Sequence, residues 1–186
     1  MALIVQKYGG TSVGTIDKIK NVAKKVLAAQ SAGNQVVAVV SAMGPTTDVL
    51  IAKLKEITGA YEPREYDALV SIGENESAAL LAQAIIAQGG QAVSLTGWQA
   101  GIITEDAHNK CKITDVQTKR LKQELKSGKI AVVTGFQGLN KNGDVTTIGR
   151  GGSDTSAVVI AAANSCDIAF TVQTLKAGNH CNFTGL

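Results

Sequence analysis

Five short apolar runs recur along this chain, and stretches of helical periodicity separate them. Runs that are apolar at every position are typical of parallel strands with helices packed on both faces of the sheet. The runs cover residues 2–5, 36–40, 92–95, 130–133 and 168–172. Strands that alternate with helices in this way are joined by right-handed crossovers. The pattern therefore predicts an α/β fold, a three-layer α/β/α sandwich with a mainly parallel central sheet.

Apolar stripes at the 3.6-residue period place helices between these strands. A stripe over residues 16–27 predicts a helix that ends near Gly33, because glycine favours the left-handed conformation found just past a helix. A second stripe over residues 49–57 predicts a helix, for which Thr46 or Thr47 is available as the N-cap.

Other segments predict shape rather than chemistry. Segment 77–87 is apolar nearly all round, which predicts a buried helix. Asn142 and Gly143 are typical of a hairpin turn, with residues 145–148 as the returning strand. Segment 96–115 has no clear period, so we expect a long excursion over the edge of the sheet.

Composition excludes several classes of protein. The chain has 186 residues, of which 45% are hydrophobic, enough for the core of one domain. The net charge of +3 comes from scattered lysines typical of solvated helix faces, and only 4% of residues are aromatic, so no nucleic-acid partner is expected. No apolar run approaches the ~20 residues of a membrane span, and neither a membrane partner nor a secretion signal is expected. Three cysteines without a CxxC motif favour a reduced, cytoplasmic protein, and the adjacent His180 and Cys181 do not make a metal site.

Nearly every apolar run ends in small or hydroxyl-bearing residues. These endings are residues 9–12, 41–44, 96–97 and 134–135. Ligands of open parallel sheets bind beyond the carboxyl ends of the strands, so these loops predict a site along one edge of the sheet. Tight strand-to-helix turns also need glycine, and this alternative accounts for part of the pattern.

Residues 7–14 form the first glycine-rich loop and contain Lys7 at the end of a predicted strand. The loop is not a P-loop, because its lysine precedes the glycines, and it holds no GxGxxG dinucleotide motif. An ammonium held beside glycine backbone is suited to phosphate oxygens. The alternative is a strand-end lysine that extends into water.

Residues 149–156 form a second loop, placed at the start of an apolar helix. Helix N-termini bind anions through free N–H groups, and the guanidinium of Arg150 suits a carboxylate or a phosphate. Ser153 is predicted at the N-cap and Asp154 in the first turn, where capping and the helix dipole alone could explain both. The same dipole could explain Glu74, which precedes another predicted helix.

Taken together, these residues resemble the aspartokinases of the amino-acid kinase superfamily. The motifs that carry the resemblance are residues 7–14, 39–44, 71–74, 94–101, 134–138 and 146–157. The resemblance is collinear over about residues 1–168 and implies the amino-acid kinase fold. It implies transfer of the ATP γ-phosphoryl group to the side-chain carboxylate of L-aspartate, the entry to lysine, threonine and methionine biosynthesis. Mg²⁺ would be held through the ATP phosphates, without a protein metal site.

The resemblance also implies roles for individual residues. It implies catalytic roles for Lys7, Arg150 and Asp154. It implies substrate binding by Thr47, Glu74, Arg150, Gly151, Gly152 and Ser153. It implies nucleotide binding by Lys7, Tyr8, Gly9, Gly10, Ser12, Ser41 and Ser153.

Within these sets each charged group has a stated partner. Lys7 would neutralise the transferring phosphoryl group, and Arg150 would hold the α-carboxylate of the substrate. Glu74 and Asp154 would meet the substrate ammonium, and Ser153 would lie between substrate and phosphate.

The resemblance stops near residue 168. The family continues there with a segment of the type YTDVDGVYTxDPR that surrounds the adenosine, whereas residues 169–186 diverge from it. We therefore expect a catalytic region over 1–168 that is incomplete at its C-terminal side, a divergent tail from a truncated or frame-shifted sequence, and no regulatory ACT domains. Weak binding of ATP follows from this expectation. The alternatives are a carboxylate kinase similar to acetylglutamate kinase, or a catalytically silent fragment that pairs with a full-length subunit; a homo-oligomer is also expected as an arrangement.

Overall fold

The computed structural model of this chain describes residues 2–149, 151–166, 168–172 and 182–183, the last two ranges through their backbone. The elements are β1 (Leu3–Tyr8), α1 (Ile16–Ser31), β2 (Gln35–Val40), α2 (Thr46–Ile57), α3 (Pro63–Val70), α4 (Ile72–Ala87), β3 (Ala92–Leu95), β4 (Ile102–Thr104), β5 (Ile113–Val116), α5 (Lys119–Lys126), β6 (Ile130–Thr134), β7 (Gln137–Leu139), β8 (Val145–Thr147), α6 (Gly152–Ala163), β9 (Ile168–Val172) and β10 (Asn182–Phe183).

The five apolar runs become five neighbouring strands of one sheet, in the order β9-β1-β2-β6-β3. All four pairs within this series are parallel, and β10 adds to β9 in the antiparallel sense. The prediction of a mainly parallel central sheet is therefore confirmed. The carboxyl ends of β1, β2 and β6 lie side by side, and this edge carries the loops considered below.

Helices cover both faces of this sheet. On one face, α1 and α4 pack against Val36, Ala38 and Val40 of β2. On the other face, α5 and α6 pack against Val37 and Val39 of the same strand. Every one of these β2 side chains is fully buried, which explains why the strand is apolar at successive positions. The predicted three-layer sandwich is confirmed.

A second sheet occupies the segment for which an excursion was predicted. Its strand order is β5-β4-β7-β8, and β4 with most of β5 comes from residues 96–115. That prediction was incomplete because strands of three or four residues are too short to show a period. The hairpin prediction is confirmed: β7 and β8 are antiparallel, the amide of Asn140 donates to Asp144 at 3.0 Å, and Gly143 has φ +84°.

Several helix details differ from the predictions. Helix α2 begins at Thr46 with Pro45 as its N-cap, and the hydroxyl of Thr46 donates to the carbonyl of Met43, so the predicted threonine cap is wrong. Helix α4 is buried on one face alone, and Ile86 on its other face is 46% exposed. Because apolar residues also occupy the outer face of α4, the sequence did not show which face of this helix is buried. The end of α1 near Gly33 is confirmed by φ +87° at that glycine.

None of the helices in the described part of the chain is both long and apolar enough to span a bilayer. Of the predicted divergent tail, residues 173–181 and 184–186 lie outside the described residues, and His180 and Cys181 are among them.

Candidate active site

Lys7 lies at the carboxyl end of β1 and extends toward α6. Its ammonium nitrogen is 3.0 Å from Oδ1 of Asp154, and its side chain is 9% exposed while that of Asp154 is 52% exposed. The alternative of a lysine that extends into water is therefore wrong. A buried ammonium paired to one half-exposed carboxylate keeps donors for another anion, since an ammonium has three N–H groups.

The first glycine loop turns sharply between β1 and α1. The amides of Ser12 and Val13 both donate to the carbonyl of Gly9, at 2.8 and 3.3 Å. The backbone also runs close to the segment after β2, because a Cβ on Gly10 would lie 2.8 Å from the carbonyl oxygen of Ala42. Glycine at position 10 thus brings the loop against the end of the neighbouring strand.

Tyr8 points to the opposite face of the sheet from Lys7, as the alternation of a strand requires. Its ring is buried in the core with α1 and α4, and its hydroxyl donates to Oε1 of Gln6 at 3.0 Å. Burial raises the pKa of Tyr8 well above its ordinary value. The structure therefore does not bring the side chain of Tyr8 to the nucleotide loop; its carbonyl accepts from the amide of Ser41 at 3.1 Å.

The start of α6 meets the ends of β1 and β2. The hydroxyls of Ser41 and Ser153 are 2.8 Å apart, and either can be the donor. Helix α6 begins at Gly152 with Gly151 as its N-cap at φ +76°, so the N-cap prediction for Ser153 is wrong. Asp154 lies in the first turn, as predicted. Ser153 is free of a capping role and joins the start of α6 to the segment after β2 instead.

Glu74 lies in the first turn of α4 and is a buried residue, only 5% exposed. Its Oε1 accepts from the amide of Ala42 at 3.0 Å, and its Oε2 has no hydrogen-bond partner in the described part of the chain. Burial raises the pKa of Glu74 from 4.5 to about 7. The helix approaches this closely because a Cβ on Gly73 would lie 2.8 Å from Cβ of Ala42.

Glu74 opens into a pocket of about 160 Å³. Its lining residues are Thr47, Glu74, Phe136, Gly149, Gly151, Gly152 and Ser153. The lining thus includes every described member of the predicted substrate set. Arg150, the remaining member, lies outside the described residues. The volume is below the ~300–1,000 Å³ of pockets for drug-sized ligands and suits a small metabolite.

Two lining residues were not in the predicted substrate set. Gly149 belongs to the predicted loop but was given no role, and Phe136 follows the predicted strand ending at 134–135. Phe136 has φ +70°, which is unusual for a bulky residue. Its amide donates to the hydroxyl of Ser156 and its carbonyl accepts from Ile148. The signal for Phe136 was its place just past a strand end, on the edge where ligands bind.

Within the described residues, no three histidine, cysteine, aspartate or glutamate side chains form a group that could hold a metal ion. The charged groups described at this edge include Lys7, Glu74 and Asp154, and the side chain of Lys110 lies beside Gly149. Their arrangement provides an ammonium beside the glycine loop and a buried carboxylate beside the pocket, two places of opposite charge for a ligand that carries both.

The fold and the site define a three-layer α/β protein with a pocket for a small ligand, and comparison with protein families specifies it. The model of the amino acid kinase family matches residues 2–170. The chain belongs to the amino acid kinase family.

Similar proteins agree with this assignment. The chain is 52% identical to the aspartokinase of Geobacillus stearothermophilus and 50% identical to aspartokinase 2 of Bacillus subtilis, each over 171 residues that make up 90% of this chain and 42% of the relative. The chain therefore spans less than half the length of these relatives. The resemblance predicted from the motifs is confirmed.

Solved structures show the same likeness in three dimensions. The crystal structure of aspartate kinase from Synechocystis superposes with a TM-score of 0.80 at 42% identity, covering 94% of this chain and 29% of that one. Aspartokinase III of E. coli, solved with aspartate and ADP, superposes with a TM-score of 0.79 at 24% identity, covering 91% of this chain and 49% of that one. The second likeness bears on the fold alone.

Proposed function

We propose that this chain provides the catalytic region of an aspartate kinase, which transfers the γ-phosphoryl group of ATP to the side-chain carboxylate of L-aspartate and forms 4-phospho-L-aspartate. The observation that carries the proposal is the pocket between Glu74 and Ser153, at the start of the helix whose Asp154 forms an ion pair with Lys7. The similarity of about half of all positions to aspartokinases supports the choice of substrate. This reaction begins lysine, threonine and methionine biosynthesis.

The amino-acid substrate belongs on the pocket side. The free Oε2 of Glu74 is placed for an ammonium group, which would satisfy a buried oxygen that otherwise costs free energy. Thr47, Gly151 and Gly152 line the same space and offer a hydroxyl and backbone groups. Arg150 is proposed to hold the α-carboxylate, because a guanidinium binds carboxylates with two parallel hydrogen bonds.

The phosphates of ATP belong on the side of the first loop. Lys7, the hydroxyls of Ser12 and Ser41, and the backbone at Gly9 and Gly10 form a donor set that fits phosphate oxygens, and Tyr8 contributes no side chain to it. Asp154 holds the Lys7 ammonium at 3.0 Å and so orients it toward the junction of the two sides. In this role Asp154 pairs with the ammonium of Lys7, so a contact between Asp154 and the substrate ammonium is not required.

The chemistry needs no general base. A carboxylate is already ionised at neutral pH, so the protein has to align the acceptor with the phosphoryl group and neutralise charge. Lys7 supplies the neutralising cation. Ser153 is proposed to lie between the amino-acid substrate and the phosphates of ATP. Mg²⁺ would add further neutralisation of phosphate charge when bound; it would be held through the ATP phosphates and water, with Asp154 as the nearby carboxylate.

An assay that traps the acyl phosphate with hydroxylamine tests this function. Purified chain, ATP and Mg²⁺ are incubated with L-aspartate or with acetylglutamate, and we expect hydroxamate with L-aspartate alone. Lys7→Met is expected to lower kcat by about 10²–10³-fold, the usual cost of removing a group that stabilises transition-state charge. Lys20→Met is the matched control, since Lys20 is 61% exposed on α1. Hydroxamate formed with acetylglutamate and not with L-aspartate would show that acetylglutamate, not L-aspartate, is the substrate.

We also propose that the chain assembles with a second copy or with a longer aspartokinase subunit. Co-purification of tagged chain with a full-length subunit, without hydroxamate formed by the chain alone, would support a non-catalytic pairing role over catalysis. Hydroxamate from the isolated chain at rates comparable to those of a full-length enzyme would contradict both that role and the expectation of weak ATP binding.

A further inference from the structure

A buried carboxylate outside the pocket connects the two walls of the pocket. Asp67 on α3 is fully buried, with an exposed fraction of 0%. Its Oδ1 accepts from the hydroxyl of Thr147 at 2.6 Å. Its Oδ2 accepts from the amide of Thr147 at 3.1 Å, from the amide of Asn109 at 3.0 Å and from Nδ1 of His108 at 3.1 Å. Four donors from two other segments thus converge on one carboxylate.

The first wall is reached through Thr147, the last residue of β8. Asp67 accepts from both the amide and the hydroxyl of Thr147. The carbonyl of Thr147 in turn accepts from the amide of Cys111 at 2.9 Å. Thr147 is therefore held from the helix side and from the 105–112 segment at once. Gly149, two residues further on, lines the pocket. The position of Thr147 consequently sets the position of Gly149 at the pocket.

The second wall is reached along the helices. Asp67 lies in the last turn of α3, and α4 follows almost directly, with Glu74 in its first turn. Helix α4 itself is held against the loop after β2 by the bond from the amide of Ala42 to Glu74. A displacement of Thr147 relative to α3 would therefore change the separation between Glu74 and Gly149 across the pocket.

A purely stabilising role does not require a charge at this place. Replacing a buried ionic group by well-packed apolar residues is often neutral or stabilising, because desolvation of the charge is costly. A carboxylate adds directional hydrogen bonds. These bonds fix both the peptide and the hydroxyl of Thr147, which apolar contacts would leave free to shift.

We propose that Asp67 is a positioning residue that sets the width of the amino-acid pocket and thereby the affinity for the substrate. The proposal rests on the proposed function for the identity of that substrate. It assigns to Asp67 a larger effect on binding of the amino acid than on binding of the nucleotide, because its partners lead to Gly149 and Glu74 at the pocket, whereas Lys7 is connected to them less directly, through Asp154 on α6.

The experiment compares Asp67→Asn and Thr147→Val with the unsubstituted chain and with Glu124→Gln. Glu124 is the matched control: it is also buried, its carboxylate is held by Arg120 and Lys129, and it lies on α5. We expect the KM for L-aspartate to rise by about tenfold or more in both variants, the size of losing one hydrogen bond to a charged group. The KM for ATP is expected to stay within about twofold, and Glu124→Gln to change neither constant.

Hydrogen exchange gives a second readout that does not depend on activity. In Thr147→Val the amides of residues 149–153 should exchange faster while those of α5 keep their rates, and Thr147→Ser, which retains the hydroxyl, should restore slow exchange. A variant that exchanges faster everywhere by one factor, with an unchanged KM for L-aspartate, would show that Asp67 only stabilises the fold and would overturn the proposal.

Failure of the proposed function leaves a different signature. If the unsubstituted chain phosphorylates another acid, the function is wrong and the KM for that acid is compared among the same variants. If the chain phosphorylates neither acid, the proposal for Asp67 is judged by hydrogen exchange alone. Faster exchange at residues 149–153 with unchanged rates in α5 supports it, and a uniform increase overturns it. Should Asp67→Asn fail to fold, Thr147→Val and Thr147→Ser carry the comparison.

Discussion

At the scale of single residues, Glu74 shows how burial changes what a carboxylate can do. One of its oxygens is satisfied by the amide of Ala42, and the other has no partner in the described part of the chain. Its pKa rises to about 7 because the ionised form loses water. Glu74 is thus poised to become charged when a cation enters the pocket.

This shift predicts how stability depends on pH. Between pH 4.5 and 7 the folded chain holds a proton on Glu74 that the unfolded chain has released, so the free energy of unfolding falls as pH rises through this window. The loss at pH 8 relative to pH 4 is at most about 3 kcal/mol for this group. Glu74→Gln removes the dependence, and urea unfolding at pH 5 and pH 8 measures the difference between the two proteins.

The raised pKa of Glu74 also predicts how binding of L-aspartate depends on pH, in the direction opposite to that of stability. Affinity for L-aspartate should strengthen as pH rises through 7, because ionised Glu74 pairs with the ammonium group. Glu74→Gln should bind more weakly at pH 8 and lose the slope. Asp48→Asn on the exposed side of α2 is the control and should keep it. An unchanged slope in Glu74→Gln would assign the titration to another group.

At the scale of elements, the start of α6 is placed by its close packing on the end of β6. A Cβ on Gly135 would lie 2.6 Å from Cβ of Ser153 and 3.1 Å from the carbonyl of Val40. A Cβ on Gly152 would lie 2.9 Å from the ring of Phe136. Side chains at these positions would force the helix away from the sheet edge. The short distance between Ser41 and Ser153 depends on this contact.

Gly135→Ala should therefore weaken both the fold and the site. We expect a loss of about 1–3 kcal/mol in the free energy of unfolding, typical of overpacking, and a higher KM for L-aspartate as Ser153 moves from Ser41. Chemical denaturation and steady-state kinetics measure the two effects.

Gly59→Ala is the matched control for this substitution. No atom lies within 4 Å of a Cβ at Gly59, and its backbone is not in the left-handed region. Its free energy of unfolding should change by less than about 1 kcal/mol. Equal effects of the two substitutions would argue against close packing as the cause.

At the scale of the whole molecule, the central sheet separates two cores. Ile85 of α4 belongs to the core with α1, and Ile160 of α6 to the core with α5. Both side chains are fully buried, on opposite faces of the sheet. Because β2 contributes alternate side chains to each core, the two sets of contacts share a strand without sharing side chains.

This separation predicts additivity. Ile85→Val and Ile160→Val should each cost about 0.5–1.5 kcal/mol, and the double variant should cost their sum within about 0.5 kcal/mol. Ile57→Val is the control, since Ile57 is 82% exposed and should show no measurable change. A larger deviation from additivity, measured by equilibrium denaturation, would mean that the sheet couples the two cores.

The sequence by itself determined the central sheet and its helices. Strand β2 had to be apolar at successive positions because both of its faces are covered, and this property is visible in the order of residues alone. Local motifs also placed Lys7, Glu74 and Ser153 at the ends of elements. What local order could not show is the helix Pro63–Val70, whose eight residues give too short a stripe, or the short strands β4 and β5 of the second sheet.

Only the tertiary structure decided which groups meet. Lys7 and Asp154 form an ion pair, and Asp67 holds Thr147, although 147 and 80 positions separate the partners in the chain. Such contacts follow from the order of strands and the packing of layers, and these are not encoded in the periodicity of any one segment. The alternation of β1 likewise turned Tyr8 into the core while its neighbour Lys7 reached the site, because adjacent residues of a strand face opposite ways.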